Sequence, residues 1–392
     1  MIGELRLPGV YVAADPSAAP RHLATGVPVF LGYTSAMRAA TTFPDTWGTA
    51  AIKLTAWSDF EPRCGSSPPD GFLADAVRGF FDNGGAVCYV LPLNETLAFA
   101  DAIASALETL KGTDSVDLVC LPDAARNPAE AIAAQRHTLE SITPEHRFAI
   151  LDSLPDRSLE ETVTQWQQLR ASADGSRNGG LYFPWVGVAA SGGAIRWVPP
   201  CGHIAGTIAR LDRQIGVHKP PANERLEGVS DLAVNLAAPE QLAHDTHGVV
   251  NCLRAVPGRG IRAWGARTTS AESDARSISV RRLVLTMARW FELQMAEVVM
   301  EPNGPPLWAR VRRQVNDYLY KKFTAGALQG ETPPDAYFIK CDEETTPPDA
   351  RERGELWVRV GIAPVVPGEF IVVRLVHSAA GVQMDATADV GP

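Results

Sequence analysis

The sequence predicts an α/β protein with a mostly parallel sheet, followed by an α+β portion and flanked at both ends by extended β-type arms. Three observations support this fold class. Short apolar runs alternate with amphipathic runs between about 70 and 190, apolar residues recur at helical spacing from 278 onward, and strand-like runs return after 336. Continuous apolar strands alternating with helices are typical of a parallel sheet that is covered on both faces.

The chain opens on an isolated β-type stretch. Residues 5–12 read LRLPGVYV, and their apolar and aromatic side chains favour a pleated, half-buried surface, while Pro8-Gly9 breaks any helix. Residues 13–20 are small residues and prolines with little to bury. The opening stretch is therefore predicted to be a tethered strand without a neighbouring strand in the adjacent sequence.

The chain from 27 to 188, which includes the alternating region, is predicted to contain five strands and four helices. The predicted strands are 27–34, 86–91, 117–121, 147–151 and 181–188. The predicted helices are 72–81, 97–110, 128–142 and 158–172. From 197 to 265, frequent prolines and glycines predict a loop-rich connection.

Two amphipathic helices and three strands are predicted after the connection. The first helix covers 278–300, and the second follows Pro305-Pro306 with apolar residues spaced by four until Gly326. The strands are 337–340, 356–362 and 370–376. The last strand is apolar on both faces, yet only 16 residues follow it, so cover must come from elsewhere.

Composition restricts the class of protein. The 392 residues are 45% hydrophobic and 21% charged, as in an ordinary globular chain of two or three domains. The six cysteines are at least 24 positions apart, which excludes a CxxC pair or zinc ribbon and indicates reduced core thiols. No secretory leader is recognisable and no apolar run approaches the roughly 18 residues of a membrane span. We therefore expect synthesis in a cytoplasm and no direct membrane insertion.

Charge is unevenly distributed along the chain. The net charge is −9, which argues against a general nucleic-acid binder, but residues 281–330 carry eight basic and four acidic residues and are net +4. The rest of the chain is therefore net −13. A cationic helical region on an acidic body indicates a specific acidic partner, although solvated helix faces explain the charge equally well.

Candidate catalytic groups are few. Asp123 and Asp152 each follow an apolar strand, where doubly wound sheets place ligands, but such aspartates more often cap loops and helices. Cys201, His203 and His218 lie close in sequence, and His244 and His247 have metal-like spacing, but neither set has a third group that completes a site. We predict no catalytic residue, cofactor or metal site. The alternative is an α/β hydrolase or ligand-binding protein that uses Asp123 and Asp152.

Several sequence blocks carry a family resemblance. They are WVPPCGHIAGTIARLDRQIGVHKPPAN (197–223), GVVNCLRAVPGRGIRAWGARTTS (248–270), MEPNGPPLW (300–308), GALQG (326–330), AYFIKCDEETT (336–346) and GIAPVVPGEFIVVRL (361–375), preceded by PGVYV (8–12) and GVPVFLGYT (26–34). Together, these blocks resemble the tail sheath proteins of contractile phages and related contractile injection systems. Residues 40–195 match only loosely, Ala13-Ala14 stand where the family commonly has acidic residues, and Cys201 replaces a usual serine.

The resemblance implies a non-enzymatic structural subunit. Such subunits polymerise as stacked hexameric rings around an inner tube and contract to drive that tube through a target envelope. The implied partners are further copies of the chain, the inner tube protein, the baseplate and tail-terminator or cap proteins, with no nucleic acid and no cofactor. The implied domains are an N-terminal arm (1–25), an outer α/β domain (26–260, with the loop-rich connection from 197), an inner α+β domain (261–368) and a C-terminal strand and arm (369–392).

The resemblance also assigns roles to two groups of residues. Both arms would add strands to neighbouring subunits, through Leu7, Val10, Tyr11, Val12, Phe370, Ile371, Val372, Val373 and Leu375. The conserved inner portion would face the tube, with a cationic surface that includes Arg310, Arg312, Arg313, Lys321 and Lys322.

Overall fold

The computed structural model describes residues 23–35, 51–111, 113–170, 175–236, 249–272, 275–298, 300–365, 371–378 and 381–387. Of the residues singled out above, Leu7, Val10, Tyr11, Val12, His244, His247 and Phe370 lie outside these ranges.

The described parts of the chain contain sixteen strands and ten α-helices. The strands are β1 (Pro28–Gly32), β2 (Ile52–Leu54), β3 (Cys88–Pro92), β4 (Leu118–Cys120), β5 (Phe148–Asp152), β6 (Gly179–Phe183), β7 (Val186–Ala189), β8 (Ile195–Val198), β9 (Glu224–Arg225), β10 (Val229–Leu232), β11 (Asn251–Val256), β12 (Gly260–Ala263), β13 (Tyr337–Lys340), β14 (Leu356–Ile362), β15 (Ile371–Ser378) and β16 (Gly381–Thr387). The helices are α1 (Phe60–Cys64), α2 (Leu73–Asp82), α3 (Phe99–Thr109), α4 (Pro128–Ile142), α5 (Leu159–Leu169), α6 (Cys201–Gln214), α7 (Ile278–Met295), α8 (Pro305–Thr324), α9 (Pro333–Ala336) and α10 (Pro348–Glu352).

A nine-stranded sheet in the order β2-β3-β1-β4-β5-β6-β11-β12-β9 forms the centre of the fold. Its six strands from β3 to β11 run parallel, and antiparallel strands lie at both edges. Alternate residues of each strand fill opposite faces, so Phe30 packs in the core with α2 and α6 while Val29 and Leu31 pack in the core with α3, α4 and α5. The predicted α/β class and its mostly parallel sheet are confirmed.

The predicted strand 181–188 is wrong in one respect, because it forms two strands in different sheets. β6 ends at Phe183, and β7 belongs to a three-stranded antiparallel sheet in the order β10-β7-β8. Pro184 lies between them. Since proline has no N–H for a ladder hydrogen bond, the chain leaves the first sheet there.

The predicted loop-rich connection from 197 is also wrong, because it contains the buried helix α6 and four strands. Glycine normally disfavours a helix interior, which is why this segment resembled a loop. In the structure, a Cβ on Gly202 would lie 2.0 Å from the carbonyl oxygen of Ala76, and a Cβ on Gly206 would lie 2.3 Å from that of Phe80. The glycines therefore let α6 cross α2 at backbone contact.

The C-terminal part contains a four-stranded antiparallel sheet in the order β13-β14-β15-β16. β15 pairs with β14 over seven residue pairs, from Ile362 with Ile371 to Leu356 with His377, and β16 covers its other edge. Apolar side chains of β13 and β14 form a core with α7 and α8. The sequence did not predict β16, which lacks a continuous apolar run.

Helix α7 is shared between the two main parts of the molecule. Ile278 and Leu285 pack in the core beneath the nine-stranded sheet, whereas Val284, Met287 and Phe291 pack in the core of the C-terminal sheet. The predicted domain boundary after residue 260 falls at the start of β12, which pairs with β11 in a hairpin of the large sheet. The domain limits stay a prediction.

Candidate functional site

Asp123, at the carboxyl end of the parallel sheet, binds backbone amides. Its Oδ2 accepts a hydrogen bond from the Tyr33 amide at 2.6 Å, and its Oδ1 accepts one from the Phe72 amide at 2.6 Å. The side chain is fully buried, and burial raises the pKa of Asp123 although these hydrogen bonds oppose the shift. Both oxygens thus tie the loop after β1 to the start of α2.

Asp152, at the end of β5, binds the first residue of α6. Its Oδ1 accepts a hydrogen bond from the Cys201 amide at 2.8 Å. Burial raises the pKa of Asp152 to about 7, although hydrogen bonds from Cys201 oppose the shift. The two aspartates act as separate backbone caps, and the alternative of a hydrolase or ligand-binding protein built on them is not supported.

Replacing Asp152 by asparagine is expected to stabilise the protein at pH 8. Because the folded-state pKa is raised from 3.8 to about 7, the stability contributed by this group is complete below pH 4 and is lost as pH rises through 7. Asp152→Asn keeps an oxygen for the Cys201 amide without a buried charge. We expect the free energy of unfolding to increase by on the order of 3 kcal/mol at pH 8 and to change little at pH 4, measured by urea denaturation.

Asp123→Asn is the matched control for that change. Both oxygens of Asp123 accept backbone amides, so an asparagine would direct its NH₂ group at an N–H donor. We expect this variant to lose stability at pH 4 and at pH 8. A pH-independent effect of Asp152→Asn would contradict a buried charge at residue 152.

Of the cysteine and histidine candidates that the structure describes, Cys201 and His203 lie inside the core. Cys201 is fully buried, and burial raises the pKa of its thiol well above the ordinary value, which keeps it protonated. His203 packs its ring against Gly79, and burial lowers its pKa to about 4. His218 lies in the loop after α6. These groups form no nucleophile pair, and the described ranges contain no group of three His, Cys, Asp or Glu side chains that could hold a metal ion.

The five predicted cations lie on α8, where they have different surroundings. Arg310 forms an ion pair with Glu301. Lys322 is half-buried with its ammonium 5.2 Å from the centre of the Tyr318 ring, and burial lowers its pKa against the opposing charge of Asp212. Arg312, Arg313 and Lys321 are exposed. The last three therefore offer the most accessible positive charge on this helix.

Tyr320 is a further candidate on the same face of α8 that the charge pattern does not reveal. Its side chain is 49% exposed. Tyr320 lies one turn after Asn316 and two turns after Arg313, on the side of the helix opposite the apolar row of Val311, Val315 and Leu319. An aromatic residue on the polar face of a predicted amphipathic helix was the available signal. We define the α8 surface as Arg312, Arg313, Asn316, Tyr320 and Lys321.

The predicted strand-addition residues of the C-terminal arm lie in β15. Ile371, Val372, Val373 and Leu375 pair with Ile362, Gly361, Val360 and Val358 of the same chain. In this single chain, β13 and β16 are the edges of the sheet. Addition of these residues to a neighbouring copy stays a prediction.

None of the helices in the described ranges has the length and apolar character needed to cross a membrane.

Comparisons with known proteins give a consistent family. A model described as the phage tail sheath protein central domain matches residues 97–269. A chain of the anti-feeding prophage helical sheath in its contracted state is 28% identical, with a TM-score of 0.71, over 94% of this chain and 98% of that chain. A chain of the contracted PVC sheath complex of an extracellular contractile injection system is 26% identical, with a TM-score of 0.72, over 99% of both chains.

A more distant structure shares the fold. The sheath tail protein from Desulfitobacterium hafniense is 11% identical, with a TM-score of 0.61, over 94% of this chain and all of that chain (100%). A search of curated proteins found no match. The family model and the two contracted sheaths agree with the sequence blocks, and together they support a contractile tail sheath family for this chain.

Proposed function

We propose that this chain is the structural subunit of a contractile sheath. It polymerises as stacked hexameric rings around an inner tube, and the polymer shortens to drive the tube through a target envelope. The observation that carries the proposal is the likeness, over nearly the whole chain, to chains of two contracted sheaths. The chain is a component of a phage tail or phage tail-like particle, and we propose that it is made in a bacterial cytoplasm.

We propose that the two arms link the copies by strand exchange. In the assembled sheath, residues 370–375 would pair with β14 of a neighbour, with 371–375 in the register seen within this chain. Residues 5–12 would extend the same sheet at an edge. When identical copies exchange an element, the element makes in the neighbouring copy the same contacts that it makes within its own chain. The extended linkers would let subunits rotate while the strand pairing persists.

Electron microscopy of the purified full-length chain tests this function. A sheath subunit is expected to form long hollow tubes, because its copies carry complementary strands and edges. A hydrolase or ligand-binding protein would form a low-order oligomer instead. A monodisperse small oligomer at all protein and salt concentrations would contradict the sheath assignment.

We propose that the α8 surface binds the inner tube protein through an acidic patch on that protein. Arg313→Glu combined with Lys321→Glu reverses two exposed charges and is expected to abolish or strongly reduce assembly of sheath around tube. Because both residues are exposed, we expect a change in unfolding free energy within about 0.5 kcal/mol. Co-sedimentation with tubes and thermal denaturation measure the two effects.

Arg310→Gln is the matched control on the same helix. Arg310 already pairs with Glu301, so its loss should leave tube loading close to that of the unaltered chain. Tube-loaded particles at normal yield from the double charge reversal would contradict the assignment of this surface. The baseplate and a tail-terminator or cap protein are the remaining partners we propose, with no nucleic acid among them.

A further inference from the structure

The chain that follows the N-terminal arm is held by a buried carboxylate. Asp117, just before β4, accepts a hydrogen bond from the Val27 amide at 2.7 Å through Oδ1 and one from the Gly26 amide at 3.0 Å through Oδ2. Gly26 has a φ of +69°, and a Cβ there would lie 2.6 Å from Cα of Ala209 on α6. The entry to β1 is therefore fixed in one conformation against α6.

Arg282 of α7 joins this carboxylate to a second one. Its Nη2 donates to Asp117 at 2.9 Å, and its two terminal nitrogens donate to both oxygens of Asp212 at 2.8 and 2.7 Å. The side chains of Arg282, Asp117 and Asp212 are 3%, 6% and 2% exposed, respectively. Burial opposes the charge of Arg282, but Asp212 and Asp117 outweigh it and raise its pKa above the ordinary value. The guanidinium is thus a permanent charge with two buried partners.

A second arginine of α7 holds the backbone immediately before Gly26. Arg289 lies two turns after Arg282, and its Nη1 donates to the carbonyl oxygen of Ala24 at 3.4 Å, while its Nη2 donates to that of Asp114. Arg289 is also buried. Residues 24–27 are therefore attached to α7 at two levels.

Helix α7, which makes these contacts, packs into both cores of the molecule. The helix packs into the core of the nine-stranded sheet through Leu285 and into the core of the C-terminal sheet through Met287 and Phe291. Asp212 also attracts Lys322 of α8. A pull on the N-terminal arm would therefore act on both cores through α7, in addition to acting on the sheet through the Val27 carbonyl, which accepts hydrogen bonds from the Asp117 and Leu118 amides.

We propose that Asp117, Asp212, Arg282 and Arg289 form a clamp that carries tension from the N-terminal arm into α7 during contraction. The inference rests on the proposed function, since only an arm bound by a neighbouring copy is pulled. We expect the clamp residues to determine how tightly residues 24–27, at the base of the arm, are held to the rest of the chain. They do not determine whether the arm can bind a neighbouring copy.

Hydrogen–deuterium exchange of the full-length chain tests how tightly the clamp holds residues 24–27. Arg282→Met keeps an unbranched apolar side chain close to the length of the arginine's aliphatic part and removes the donors to both aspartates. We expect the peptide that contains Gly26 and Val27 to exchange about tenfold faster than in the unaltered chain. If Arg282→Met fails to fold, Arg289→Met carries the same measurement, because it leaves the Asp117–Arg282–Asp212 contacts intact.

Tube strength tests the mechanical role. We expect tubes of Arg282→Met or Arg289→Met to assemble but to break into shorter fragments, about one third of the unaltered length, after passage through a narrow needle. Arg210→Met is the matched control, because Arg210 binds Asn83 and Glu224 and, in the described ranges, donates no hydrogen bond to residues 24–27 or to α7. Its tubes should keep their length.

Two results would overturn the clamp: unchanged exchange at residues 26–27 in both α7 variants, or sheared tubes as long as those of Arg210→Met. Failure of the unaltered chain to form tubes would overturn the proposed function instead. The exchange measurement would still decide whether the clamp holds residues 24–27 in place.

Discussion

A chain that lacks residues 1–15 is expected to fold and to form no tubes. The nine-stranded sheet begins at Pro28, and the contacts that hold residues 24–27 involve Asp117 and Arg289, so the truncation removes no described contact of the fold. It removes the strand-forming stretch 5–12, which we propose each copy lends to a neighbour. Electron microscopy and thermal denaturation of the truncated and full-length chains measure the loss of tubes and the retention of folding.

A linker replacement separates the role of the strand from that of its tether. Residues 13–20 are exchanged for an equally long Gly/Ser segment, which keeps the reach of the arm and the strand itself. Tubes are expected to form from this variant. Tubes of normal length from the truncated chain would contradict strand exchange at the N-terminus.

The largest loss of stability is expected from Gly202→Ala. The new Cβ would lie 2.0 Å from the carbonyl oxygen and 2.5 Å from Cα of Ala76, so α6 and α2 must separate. Backbone atoms cannot rotate away as a side chain does. We expect a loss of at least about 3 kcal/mol in unfolding free energy, measured by urea denaturation, with reduced soluble yield.

Two further variants distinguish close backbone approach from other effects of alanine. Ala76→Gly on the facing helix should not rescue Gly202→Ala, because the atoms in contact are backbone atoms. Gly304→Ala, where the nearest atom to a new Cβ is 3.9 Å away, should cost less than about 1 kcal/mol. Near-normal stability of Gly202→Ala would show that the helices can separate freely.

The regular elements of the fold follow from local sequence, and the exceptions have physical causes. Helix α4 has the predicted bounds of 128–142, because Pro128 starts it and its apolar residues keep helical spacing. Helix α6 was missed because Gly202 and Gly206 lower helix propensity and are retained for contact with α2, which only the folded chain reveals. The break at Pro184 was visible in the sequence but its consequence, a change of sheet, depends on the partners β8 and β10.

The candidate site was predicted only in outline. Spacing placed Arg310, Arg313 and Lys321 off the apolar face of α8, but charge alone could not show that Arg310 is neutralised by Glu301 or that Lys322 folds onto Tyr318. Ion pairs between residues nine apart across a turn depend on how the chain enters the helix. The apolar character of residues 371–375 predicts a strand, and β15 pairs with β14 on one edge and with β16 on the other. Cover of both its faces and its exchange between copies stay predictions.

The shared helix α7 has a consequence for engineering. A fragment cut at residue 260 would leave Ile278 and Leu285 of the C-terminal piece facing water and would deprive the N-terminal piece of the Arg282 guanidinium between two carboxylates. Neither half is then expected to be a usable module, so hybrids between sheaths of different particles should exchange surface loops and arms while keeping α7 and its surroundings from one parent.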